Sequence, residues 1–317
     1  MTLTNEELKS VLFGAYRFEE TEDDYLHPIQ FTKRQVDYFK NLLEFYYVRS
    51  LAGNAKTIEL ETTATEIGFD YKLRWFGGLD AVELVVNGKL LSRIDAEALK
   101  SGDKINFTLP KGEKNVVIYL PTDAQLVLKN FSINAPFTPA KKGKRVLWIG
   151  DSITQGYGPF SPAGTYVSVA NRILNYDIIN QGIGGYYYDE NSLDFMDGYS
   201  PDKIIIAMGT NQHSDPAAAT KIAAFYKKLN SIYGNIPVLC ITPLWRPDLK
   251  GEDYHAFVKF CEKITELCGE YGNISVINGL TLIPHLNDYF LDNVHPNALG
   301  CEVYGRNLVE VIRKIGF

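Results

Sequence analysis

From Arg145 onward the sequence alternates short apolar runs with amphipathic helical stretches, and this alternation constrains the fold more than any other feature. RVLWI, YDII, KIIIAM, PVLCIT and ISVI read as strands. The first helical stretch carries Tyr166, Val169 and Ile173. The next carries Ile222, Phe225, Leu229 and Ile232 and ends at Gly234. A third carries Phe257, Phe260, Ile264 and Leu267, and the last runs from Ala298 to Ile315. Near-continuous apolar strands between one-sided helices require a parallel sheet covered on both faces. The expectation is a three-layer, flavodoxin-like α/β fold with five parallel strands over residues 145–317.

The preceding residues have a different texture. TIELET, EIGFDYKLRWF, AVELVV, KINFTL, NVVIYL and LVLKNFSI alternate apolar and polar side chains without helical stretches between them. Asn87-Gly88 between AVELVV and KLLSRI is a hairpin signal, because both residues tolerate the left-handed backbone of a type I′ turn. Residues 1–135 therefore read as an antiparallel β-sandwich of jelly-roll type. Thr32 and Gln35 have the spacing of a capping box and predict a short helix through Tyr38 and Phe39. The stretch 136–144, with its prolines and basic glycine run, reads as a linker.

At 317 residues the chain is long enough for two cores. A net charge of −6 argues against a nucleic-acid partner, since phosphate binding needs a basic face. No apolar run reaches the roughly 18 residues of a membrane span. The opening residues do not form a signal peptide, so a cytoplasmic location is expected unless a leader has been removed. Cys240, Cys261, Cys268 and Cys301 form no CxxC pair and sit among apolar residues, as core side chains do.

In open parallel sheets ligands bind beyond the carboxyl ends of the strands. Gly150-Asp151-Ser152 follows the first strand, Gly182-Ile183-Gly184-Gly185 the second and Gly209-Thr210-Asn211 the third. Asp292-Asn293-Val294-His295-Pro296 follows the fifth, just before the last helix. A serine hydroxyl becomes a nucleophile when a base takes its proton, and His295 is such a base. Asp292 can reach back to the other ring nitrogen and fix the tautomer. The oxyanion needs preorganised donors, for which the candidates are the backbone N–H groups of Ser152 and Gly185 and the side-chain amide of Asn211.

IGDSITQGYG, NQGIGG, AMGTNQHS and DNVHPN together resemble, in order, the four sequence blocks of the SGNH (GDSL-like) hydrolases. The resemblance spans about residues 145–317. It implies Ser152 as nucleophile, Gly185 and Asn211 as oxyanion donors, and Asp292 with His295 completing the triad. Gly184 could take the place of Gly185 in that alignment. The β-rich region resembles the module that precedes the catalytic domain in some carbohydrate esterases.

Several positions have a structural reading beside the functional one. Asp151 could contact substrate or tie down its loop through backbone hydrogen bonds. His213, Tyr186, Trp245 and Arg246 are candidate substrate contacts, Arg246 as a partner for a carboxylate and the aromatics as sugar platforms. Loop packing is the alternative for each of them. Tyr46, Tyr47, Trp75 and Phe76 fit either a sugar-binding face or the sandwich core. Asp288, Asp292 and His295 lack the further ligands of a metal site, so neither metal nor cofactor is expected.

The expected activity is hydrolysis of a short-chain ester, an acetyl group on a carbohydrate, through an acyl-serine intermediate. An acyltransferase would use the same acyl-enzyme, and a non-catalytic carbohydrate-binding protein on a hydrolase scaffold is the alternative from another class. Oligomeric state is not encoded in any motif. The β-rich half supplies no residue type that the mechanism lacks. It is expected to border the site and shape acceptance of bulky substrates without entering the chemical step.

Overall fold

The computed structural model describes residues 1–78 and 80–317. The C-terminal half is built on a parallel sheet of Arg145–Gly150, Asp177–Gly182, Lys203–Ala207, Val238–Ile241 and Ile274–Ile277. In space the second of these lies at one edge, then the first, third, fourth and fifth. This is the flavodoxin-like order, and it follows from right-handed crossovers that place helices on opposite faces.

The alternation along each strand shows in the core. Val146, Trp148, Ile205 and Leu239 pack on one face with Tyr166, Tyr304 and Leu308 of helices Tyr166–Leu174 and Ala298–Ile315. Leu147, Ile149, Ile204 and Cys240 pack on the other face with Ile222, Phe225 and Ile264 of helices Ala218–Tyr233 and Gly251–Cys268. All four cysteines are buried and unpaired by disulfides.

Ahead of this unit two antiparallel sheets form a sandwich. One contains Thr57–Thr62, Lys114–Tyr119, Ala81–Val86 and Lys89–Asp95. The other contains Leu26–Ile29, Ala124–Ile133, Glu66–Phe76 and Lys104–Thr108. Asn87 and Gly88 both have positive φ, +49° and +77°, and turn Ala81–Val86 into Lys89–Asp95. The stretch expected to be a linker also pairs. Phe137–Pro139 adds an edge strand beside Thr57–Thr62, where proline is tolerated.

The Thr32–Gln35 capping box is present. Gln35 N–H donates to Thr32 Oγ1 at 3.1 Å, and Thr32 N–H donates to Gln35 Oε1 at 2.9 Å. It starts helix Lys33–Leu42, which helix Glu44–Ser50 follows. These two helices lie between the halves, with Phe31, Val36 and Phe39 packed on Ile183 and Tyr186. Thr32→Ala removes both the cap and a 2.6 Å hydrogen bond to Asp194. A loss of about 1–2 kcal/mol in unfolding free energy is expected, read from the denaturant midpoint. An unchanged midpoint would show that the cap contributes nothing.

Candidate active site

The first parallel strand sits where the strand order reverses, and its neighbours lead off in opposite directions and open a crevice. Asp151 leaves this strand in extended conformation and caps the one-turn helix Ser152–Gln155, accepting from Ile153 N–H at 3.0 Å. Asp151 is 3% exposed, and burial pushes its carboxyl up to about 7. Its geometry is that of a residue that ties the turn, with no face toward solvent for a substrate. Ser152 is thereby presented at the first helical position.

Ser152 Oγ lies 2.8 Å from His295 Nε2. His295 Nδ1 lies 2.8 Å from Asp292 Oδ2. The other Asp292 oxygen accepts from the backbone N–H groups of Val294 and His295, at 2.7 and 2.8 Å. Burial raises the Asp292 pKa, but these amides and the His295 ring outweigh it and hold the carboxyl below its ordinary value. A charged Asp292 keeps the Nδ1 proton and leaves the Nε2 lone pair facing the serine hydroxyl. The Tyr157 ring packs edge-on to the imidazole at 4.6 Å between centroids. Gly158 lets the chain pass close by, since a Cβ there would fall 2.1 Å from the Pro296 carbonyl oxygen.

The turn after the second strand carries the candidate oxyanion donor Gly185. Tyr186 N–H donates to Ile183 O at 3.1 Å and closes a β-turn. Gly185 occupies its third position at φ +70°, where a type II turn takes glycine. Gly184 N–H donates to Gln155 Oε1 at 2.6 Å and is therefore committed. The backbone N–H groups of Ser152 and Gly185 have no acceptor among the described residues. Asn211 Nδ2 gives one hydrogen to Tyr186 O at 2.9 Å, which leaves the second for a ligand. Of the two adjacent glycine amides, that of Gly184 is engaged and that of Gly185 is not.

The remaining candidates all have partners within the frame. Tyr186 is buried against Phe39 and Tyr46 and donates to Asp189, so it offers no platform to a sugar. Arg246 forks onto Asp248 and donates to Thr210 O at 3.2 Å, with 13% of its side chain exposed. Its charge is neutralised locally, and it steadies the Gly209–Asn211 turn. His213 Nδ1 also meets Thr210 O, at 2.9 Å. Trp245 stacks on His285 at 5.0 Å and meets the Phe290 ring at 5.5 Å. Among the described residues no group of three or more His, Cys, Asp or Glu is placed to hold a metal ion.

Several residues at the site were not singled out by the sequence. Gln155 and Tyr157 lie within the first block, and Phe45, Arg49 and Asp123 come from the N-terminal half. The Arg49 guanidinium lies 3.8 Å from the Phe45 ring centroid and 5.1 Å from that of Trp75. Phe45 and Tyr157 are 44% and 40% exposed, Phe45 beside Gly185 and Tyr157 beside His295. A larger cavity of about 390 Å³, lined by Glu59, Lys142, Asn171 and Arg172, contains none of the site residues. The chemistry, rather than cavity size, identifies the site.

Residues 148–303 match the GDSL-like lipase/acylhydrolase family. No curated protein matches the chain by sequence. Among solved structures, a salicylyl-acyltransferase from a tetracycline biosynthetic pathway is similar, with a TM-score of 0.75 at 18% identity. The match covers 96% of this chain and 94% of that one. A family two carbohydrate esterase from Cellvibrio japonicus has a TM-score of 0.69 at 16% identity, over 99% and 97% of the two chains. An acetyl xylan esterase from Butyrivibrio proteoclasticus has a TM-score of 0.60 at 17% identity, over 83% and 91%. At these identities the likeness is one of fold, and it extends through the sandwich as well as the α/β unit. No helix among the described residues is long and apolar enough to cross a membrane.

Proposed function

The chain belongs to the GDSL-like lipase/acylhydrolase family, and we propose that it is a serine esterase that removes acetyl groups from a carbohydrate. The observation that carries the esterase reading is the continuous Ser152–His295–Asp292 hydrogen-bond chain, 2.8 Å at each step. His295 Nε2 accepts the Ser152 proton as Oγ attacks the ester carbonyl. The oxygen that gains charge is received by the Ser152 and Gly185 N–H groups and the Asn211 amide. His295 then passes its proton to the departing alcohol. In the second half a water gives its proton to His295, attacks the acyl-serine, and releases the carboxylic acid with Ser152 restored.

Two features support the finer assignment. The exposed rings of Phe45 and Tyr157 on either side of the site can stack on a sugar face. The shared fold with carbohydrate esterases agrees with this reading.

Turnover of p-nitrophenyl esters should fall steeply from acetyl to octanoyl, and acetylated xylo- or cello-oligosaccharides should release acetate. Preference for octanoyl, or no release from any acetylated sugar, would overturn the acetyl-carbohydrate assignment. The likeness to the acyltransferase favours a second reading, in which an alcohol replaces water at the acyl-serine. Acyl transfer to added alcohols in preference to hydrolysis, seen by product analysis, would establish that one.

A further inference from the structure

The N-terminal half reaches the site through Asp123, Arg49 and Phe45. Gln155 is buried on the short helix that begins with Ser152, and its amide spans the two halves of the molecule. Its Oε1 accepts from Gly184 N–H at 2.6 Å, and its Nε2 donates to Asp123 Oδ1 at 2.7 Å. A backbone donor on one side and a carboxylate on the other leave a single orientation for the amide. Asp123 belongs to the turn between sandwich strands Lys114–Tyr119 and Ala124–Ile133. It is held by Arg49 at 3.5 Å, and its backbone N–H donates to Asp80 at 3.0 Å. Burial raises the Asp123 pKa, against the pull of Arg49 and Gln155. Helix Glu44–Ser50 also leans on the turn itself. A Cβ on Gly184 would fall 3.1 Å from Arg49 Nε, and one on Gly185 would fall 3.5 Å from Phe45. Asn54 donates to Gly182 O at the start of the same turn.

We propose that Asp123 and Gln155 are positioning residues for the oxyanion hole, with the sandwich supplying the anchor. The assignment rests on the esterase reading above. Two adjacent glycines offer little resistance to rotation of the peptide between them. That peptide carries the Gly185 N–H. With Gly184 N–H fixed by Gln155 and Tyr186 N–H fixed by Ile183 O, the peptide is held from both sides and its N–H is aimed at the acyl oxygen. Preorganisation of such a donor is what lowers the barrier, so a loosened turn should act on kcat rather than on substrate binding. On this proposal the sandwich bears on the chemical step as well as bordering the site.

The test uses the full chain and p-nitrophenyl acetate. Gln155→Glu places two carboxylates against each other, and kcat should fall about tenfold or more with KM within about threefold. Asp123→Asn alone should stay within about threefold of the parent, because its amide can turn its oxygen toward Gln155. Combining the two keeps the acceptor for Gly184 N–H and faces the exchanged carboxylate with an amide donor instead of a second carboxylate. The double variant should therefore recover kcat to within about threefold of Asp123→Asn. Such recovery separates positioning from general destabilisation, since two independent lesions would add. A kcat within twofold of the parent for Gln155→Glu, or no recovery in the double variant, overturns the assignment while Ser152 remains essential. If Ser152→Ala retains turnover, the esterase reading falls and takes this assignment with it.

Discussion

Replacing Ser152 with alanine is expected to abolish ester hydrolysis and leave the fold unchanged. The Oγ atom contacts His295 at 2.8 Å, and the cap of its helix comes from Asp151, so no structural bond besides the histidine contact is lost. Alanine is also well suited to a helical position. Without the hydroxyl no acyl-enzyme forms, and only the binding site and oxyanion donors remain to act on the ester. In serine hydrolases that residual is small, and a fall of about ten-thousandfold or more in kcat is expected. A fluorophosphonate probe should label the parent protein and not the variant, while both melt at the same temperature. An alanine variant that keeps more than about a hundredth of parental turnover would show that another group is the nucleophile.

Much of the site was legible because its residues lie at positions that the strand–helix alternation itself defines. Once five apolar runs are read as one parallel sheet, Ser152, Gly185, Asn211 and His295 must gather at its carboxyl edge. Asp292 and His295 were readable as a unit because a carboxylate three residues back can close a turn on the imidazole and on its own backbone. What was not legible depends on packing between distant segments. Gln155 finds Asp123 across 32 residues of sequence, and no periodicity marks either partner. Tyr186 follows two glycines and a strand end, which suggests an exposed loop. The turn instead folds it back into the pocket formed by Phe39 and Tyr46. Arg246 was open to a better reading, because Asp248 lies two residues on and the pair closes locally.

The part of the N-terminal half that was hardest to read is also the part that reaches the site. Alternating strands predict a sandwich, but nothing in that alternation says which turn faces the neighbouring sheet. The helices Lys33–Leu42 and Glu44–Ser50 fill the space between the halves and bring Gln35, Arg49 and Phe45 against the 182–192 segment. Gln35 donates to Ser192 O at 2.8 Å, and Gln181 returns a bond to Gln30 O at 2.9 Å. Buried amides of this kind are satisfied only when the two halves meet in one register. The interface therefore acts as a fixed frame, which is why a sandwich residue can govern the angle of a peptide beside the nucleophile.

Asn211→Ala should lower kcat by roughly a hundredfold or more, about 3 kcal/mol of transition-state stabilisation, with KM little changed. Asn211 follows Gly209 and Thr210 at the end of the third strand, and its turn is steadied by Arg246 and His213 through the Thr210 carbonyl. One amide hydrogen is used on Tyr186 O at 2.9 Å. That bond sets the plane of the amide and therefore the direction of the second hydrogen. A neutral ester carbonyl gains little from this donor, whereas the oxyanion gains a charge-assisted bond from a donor already aimed at it. The loss should therefore appear in the step that forms charge. Affinity for a tetrahedral phosphonate should drop in parallel with kcat, and a structure of the parent adduct should place Asn211 Nδ2 and the Gly185 nitrogen within about 3 Å of the phosphonyl oxygen. If the loss fell on KM with kcat intact, Asn211 would be a contact for the bound ester and the oxyanion would rest on the two backbone amides alone.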